Sequence, residues 1–230
     1  MSDGNLAIAY EAIQRRVEAA AIRAGRDPAE VTIMAVTKTR DRDVVDAAVA
    51  LGIISLGENR VQEAREKFGG VSLANNVGLS LIGSLQTNKA KQAVGLFDVI
   101  QSVDRPSLVE ALARAAEGRP EPLPVLVQVN VAAESQKAGC AVDEAADLVR
   151  RILDTGVLLP VGLMTIAPLV EDAGTVRPVF RSLRVLRDEI ADGAPALQIL
   201  SMGMSDDLDV AIEEGATVVR VGRALFGDRI

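Results

Sequence analysis

Short runs of β-branched and other apolar residues alternate along this chain with amphipathic stretches rich in Ala, Leu and charge. The apolar runs fall at 31–36, 53–56, 79–82, 99–101, 125–129, 157–164, 197–200 and 217–221. Helical patterns lie between them at 43–51, 61–67, 88–95, 107–117, 142–153, 175–190 and 207–214, and a further helix over about 5–24 precedes the first run. Strands that alternate with helices predict parallel βαβ units. At 230 residues, eight such units close most simply into an α/β (β/α)8 TIM barrel with an additional N-terminal helix, one domain over 1–230. An open doubly wound sheet is the alternative, but the first strand-to-helix turn, "TKTRDRD", has no glycine and so no dinucleotide fingerprint.

In a barrel the functional face is built from residues that follow each strand. Here those positions read Lys38, "GEN" (57–59), "GSLQTNK" (83–89), "QSVDR" (101–105), "NVAAESQKAG" (130–139), "MTIAP" (164–168), "SMGMSDD" (201–207) and "RVGRALFG" (220–227). Polar residues and glycine thus collect at one end. Barrels often bind phosphate after strands seven and eight, where N–H groups at the start of a short helix face the anion. Gly222 and Arg223 occupy that place, with Ser201 a candidate hydroxyl donor. A tight turn at Gly222 and a structural cap at Ser201 would produce the same letters.

The first strand ends in "AVTKT", which puts Lys38 between two threonines. It is either a rim lysine paired with a carboxylate or an amine held in a cleft for a carbonyl. An amine is nucleophilic only when neutral, a form favoured by desolvation or a nearby cation. "SDD" (205–207) suits a helix N-cap.

Composition narrows the chemistry. The chain has no histidine, which removes Ser-His-Asp and Cys-His catalysis and every His metal site. Its one cysteine, Cys140, allows no internal disulfide and fits a reducing compartment. Net charge is −7 and aromatics make up 2%, so neither a basic face nor stacking platforms are available for nucleic acid. Hydrophobic residues make up 49%, with a mean hydropathy of +0.23, yet no apolar run is long enough for a membrane span, and the N-terminus is unlike a signal peptide. The expectation is a soluble, cytoplasmic monomer that contacts no nucleic acid and no membrane.

Eight segments in order carry a resemblance: "AVTKT" (35–39), "LGENRVQEAREK" (56–67), "LIGSLQTNKAK" (81–91), "QSVDR", "QVNVAAESQKAG" (128–139), "GLMTIAP" (162–168), "LSMGMSDDLDVAIEEGATVVRVG" (200–222) and "ALFG" (224–227). Together they resemble the pyridoxal phosphate homeostasis protein family, single barrels similar to the N-terminal domain of alanine racemase. The resemblance implies pyridoxal 5'-phosphate (PLP) bound as a Schiff base on Lys38. It implies Ser201, Gly222 and Arg223 at the phosphate, the last two largely through backbone N–H groups, and Arg220 at the pyridine nitrogen. Asn59 would lie beside the ring, with Ile82 and Met164 packed near it. Lys137 matches a family lysine near the mouth, and Met202 and Gly203 would neighbour the phosphate. One departure stands out: family members usually carry an aromatic residue and a histidine just before "IG", where this chain has "LSLIG" with Leu79 and Ser80.

The implied role is PLP homeostasis: storing the aldehyde and supplying it to PLP-dependent apoenzymes, without catalysis. An arginine at the ring nitrogen makes PLP a poorer electron sink. The single tyrosine, Tyr10, lies in the N-terminal helix, away from the strand ends. A weak amino acid racemase and a cofactor-free lysine aldolase are the alternatives.

Overall fold

A computed structural model describes residues 3–70, 73–74, 76–134, 136–168 and 172–227. Eight parallel strands close into a barrel in sequence order. They are β1 Thr32–Val36, β2 Ser55–Glu58, β3 Gly78–Leu81, β4 Val99–Val103, β5 Leu123–Gln128, β6 Leu158–Met164, β7 Ile199–Ser201 and β8 Val218–Val221. The helices are α1 Asp3–Arg23, α2 Arg42–Ala50, α3 Val61–Phe68, α4 Ala90–Val94, α5 Pro106–Ala116, α6 Ala145–Asp154, α7 Arg177–Ala191, α8 Leu208–Glu213 and α9 Arg223–Phe226. The expected TIM barrel and its extra N-terminal helix are both present.

Side chains alternate across each strand, so the sheet separates two interiors. The large one lies between sheet and helices, and is built from Leu, Val, Ile and Ala with Phe68, Phe97, Phe180 and Phe226. The small one lies inside the barrel, where Met34, Val36, Ile82 and Val218 pack with Ile199. Glycine makes room at one crossing: a Cβ on Gly162 would stand 2.2 Å from the Ile199 carbonyl oxygen.

The element boundaries differ from the sequence reading where it matters for the site. The seventh strand begins at Ile199, two residues later than its apolar run suggests, and so includes Ser201. Leu197 is apolar because it is buried in the sheet–helix layer, in a turn closed on Ala194, and not because it belongs to the strand. Helix α4 is preceded by a 3-10 turn at Thr87–Lys89, which takes up the first residues of the expected helix.

The N-terminal helix belongs to the site's support. α1 packs on α8 and α9. From it Arg16 pairs with Asp209 and donates 2.9 Å to the Ser205 carbonyl, while Arg23 pairs with Glu213 at 2.9 Å.

Candidate functional site

A cavity of about 670 Å³ opens at the C-terminal end of the strands. Val36 and Lys38 from the first strand exit form one wall, with Thr39 and Arg40 beyond them. Asn59 follows β2, Ile82 follows β3 and Ile166 follows β6; Met204, Ser205 and Asp206 follow β7, and Arg220, Gly222, Arg223 and Gly227 close the circuit. Strand parity explains the set. Met34, Val36 and Lys38 share one face, as do Val218, Arg220 and Gly222, and β1 pairs with β8 so that Met34 lies beside Arg220.

Six of the eight candidate residues line this cavity: Lys38, Asn59, Ile82, Arg220, Gly222 and Arg223. Met164 and Ser201 do not. Both are strand-terminal, paired with each other across β6 and β7, and fully buried one layer below the mouth. The Ser201 hydroxyl donates to Gln101 Oε1 at 2.7 Å and accepts from Arg220 at 2.9 Å. It is committed to the arginine rather than open to the cavity. Met202 and Gly203 are buried as well, and at φ 92° Gly203 takes a turn that L side chains resist.

Arg220 is the buried cation of the site. Its guanidinium also donates to the Ser201 and Thr165 carbonyls, at 2.7 and 2.8 Å. Burial pulls its pKa down to about 10, against the attraction of Asp207, so it stays charged at neutral pH. Burial also raises the Asp207 carboxyl, opposed by its bond from the Met204 N–H. That bond, 2.5 Å long, closes the β7–α8 loop. Asp207 stands at the N-cap position of α8 but makes no side-chain cap bond there, so the "SDD" capping expectation gives way to a loop clamp.

Lys38 makes no hydrogen bond or ion pair with any described residue, which removes the rim pairing that its sequence position left open. Asn59 adds a second unengaged group, since its amide oxygen is buried without a partner among the described residues. Gly222 adds space. Its φ of −117° suits any residue, and a Cβ there would only touch Val36 at 3.5 Å, so neither backbone nor packing demands glycine. A ligand that needs close approach to the backbone would. The Ser205 hydroxyl accepts from the Ala224 N–H at 3.2 Å and ties the β7 loop to α9. The Arg223 side chain pairs with Asp206, and both residues line the cavity.

The other candidates lie elsewhere. Lys137 sits in the β5–α6 loop, 2.5 Å from the Glu134 carboxylate, and is not part of the cavity wall. Lys89 and Lys91 are on the 3-10 turn and α4, also off the wall. Ser80 faces the barrel interior, where Gln101 Nε2 donates to it at 3.4 Å. Tyr10 packs on the outer core from α1. Among the described residues, no group of acidic, Cys or His side chains could hold a metal, and no helix is long and apolar enough to cross a membrane.

The model of the alanine racemase N-terminal domain matches residues 8–230. A pyridoxal phosphate homeostasis protein of Aquifex aeolicus is 39% identical over 218 residues, covering 94% of this chain and 95% of the relative. This chain belongs to the pyridoxal phosphate homeostasis protein family. Within reach of that family, the structure of PipY from Synechococcus elongatus with PLP bound is 34% identical, with a TM-score of 0.79, covering 94% of this chain and all of PipY. The alanine racemase of Streptomyces coelicolor aligns at 18% identity with a TM-score of 0.76. This chain covers 59% of that enzyme, a likeness of fold alone.

Ser205, Met204, Ile166, Thr39 and Arg40 line the cavity without having been singled out. Ser205 and Arg40 had a signal, since both lie in strand-exit segments. Ile166 and Met204 had none beyond position, because one apolar letter after a strand cannot be told from core.

Proposed function

We propose that this chain binds PLP at the barrel mouth, holds it covalently on Lys38, and releases it to PLP-dependent apoenzymes without turning over substrate. The observation that carries the proposal is Lys38 itself: a half-buried lysine with no carboxylate partner among the described residues, on the same cavity wall as a glycine that the fold does not require. PLP supplies an aldehyde that condenses with a neutral amine, C=N replacing C=O as one water leaves. The backbone around Gly222 and Arg223 receives the phosphate. Asn59 offers an acceptor beside the ring, and Ile82 gives an apolar surface against its face. Arg220, charged and fixed by Ser201 and Thr165, presents a donor toward the pyridine nitrogen and holds that nitrogen unprotonated. Met164 and Ser201 act from the layer below, Ser201 through Arg220.

A carrier role fits the same geometry. A ring kept unprotonated is a weak electron sink, and the chain has no histidine to serve as a second base. The mouth is open, which suits exchange with solvent. The bound state is tested by adding PLP to the purified chain and following visible absorbance, with pyridoxine 5'-phosphate, which lacks the aldehyde, as control. A band with PLP alone is expected. Release is tested by mixing the loaded chain with an apoenzyme and following recovered enzyme activity. Racemisation of L- or D-amino acids by the loaded chain would replace the carrier reading with an enzymatic one.

A further inference from the structure

The turn that carries Lys38 is gripped on both sides by one charge network, buried at Glu58 and Lys67 and partly exposed at Glu63. Before it, the Thr37 hydroxyl donates to Glu58 Oε1 at 2.7 Å, and Lys67 donates to the Thr37 carbonyl at 2.7 Å. Lys67 also meets Glu58 Oε1 at 2.6 Å, with the side chains 7% and 0% exposed. After it, the Thr39 N–H donates to Glu63 Oε1, and Glu63 lies 3.5 Å from Lys67. Thr39 is held at φ 61°, a conformation that costs a branched residue energy and persists only where its surroundings enforce it.

The Glu58–Lys67 pair of this network is buried on the helix side of the sheet. A buried ion pair there is a poor choice for stability alone, because well-packed apolar residues of similar size usually do as well or better. Its bonds are spent instead on one peptide segment. Glu58 leaves β2 just before the cavity residue Asn59, and Lys67 and Glu63 reach back one helical turn apart from α3. Residues 37 and 39 are fixed, and parity then directs the residue between them toward the barrel axis.

We propose that Glu58, Lys67 and Glu63 are positioning residues that hold the Thr37–Thr39 turn, so that the Lys38 amine meets the carbonyl of a bound phosphorylated aldehyde. The proposal rests on the PLP reading above and adds the device that aims the amine. Lys67 also keeps the buried Glu58 carboxylate engaged.

The test compares the wild-type chain, the Glu58→Gln/Lys67→Met double variant and Glu63→Ala. The double variant removes both buried charges, is isosteric at position 58 and one atom shorter at position 67. Glu63→Ala alters only a partly exposed helix position and keeps the test alive should the double variant not fold. Thermal melting establishes folding, and pyridoxine 5'-phosphate binding reads the phosphate and ring pocket without the aldehyde. Growth of the visible band with PLP reads the amine. The expected result is pyridoxine 5'-phosphate affinity within about twofold of wild type, with band growth slowed at least about tenfold in the double variant and by a smaller factor in Glu63→Ala. A purely structural role would move melting and leave band growth unchanged. Equal band growth in wild type and every folded variant overturns the positioning role alone. A wild-type chain that gives no band overturns the PLP reading and this proposal with it.

Discussion

The Arg220 guanidinium donates to the Ser201 hydroxyl at 2.9 Å, inside a barrel whose interior is otherwise mostly apolar. The hydroxyl in turn donates to Gln101 Oε1, and Gln101 Nε2 donates to Ser80, so a hydrogen-bonded chain crosses from β8 to β3 beneath the cavity. A buried guanidinium keeps its orientation only if its donors are answered. Ser201→Ala removes one acceptor from Arg220 and strands Gln101. It is expected to cost about 1–3 kcal/mol of unfolding free energy in urea. Ser201→Thr, which keeps the hydroxyl, should retain more of that stability.

Gly222 separates binding from folding. Ala is compatible with its φ of −117°, and the new Cβ would meet Val36 at ordinary contact distance. Gly222→Ala should therefore melt within a few degrees of wild type while PLP affinity falls by about tenfold or more, as read by spectral titration. Gly162→Ala gives the contrast. Its Cβ would lie 2.2 Å from a β7 carbonyl, so loss of fold is expected there.

The ion-pair network that joins α7 and α8 gives a defined pH response. Hydrogen bonding to Arg181 lowers the Glu214 pKa, and hydrogen bonding to Arg177 lowers that of Glu213. Carboxyls depressed in the folded state contribute stability above their unfolded pKa, and that contribution disappears as pH falls through the lower folded value. Urea midpoints should hold steady near neutrality and drop on the acid side of the ordinary Glu range. Glu214→Gln should differ from wild type at about pH 7 and converge with it toward about pH 3.

Cys140 should be silent in the native protein. It is 5% exposed, and burial, with nearby Glu144 and Asp104, pushes its thiol up to about 12. A thiol-specific reagent near pH 8 should label nothing in the native chain and one group per chain in denaturant. Rapid native labelling would mean that the β5–α6 loop opens.

The barrel was legible because short apolar, β-branched runs alternate with amphipathic helical patterns along the chain, and the mouth because polar letters cluster after the strands. Lys38, Gly222 and Arg223 followed from that placement. Ser201 was located only to within one layer: a two-residue shift in the start of β7 moves its hydroxyl from rim to interior, and an apolar run does not say which of its residues pair. The Glu58–Lys67 contact could not be read at all. "GENRVQEAREK" looks like a strand exit followed by an ordinary charged helix surface. Only the packing of α3 against β2 shows that two of those charges face inward.

The most direct measurement is to mix the chain with one equivalent of PLP, reduce with borohydride, digest, and map the pyridoxyl group by mass spectrometry. With Lys38 as the attachment point, the label falls on the peptide containing Lys38, at close to one group per chain. No label, or a label on other lysines with Lys38 unmodified, would contradict that attachment.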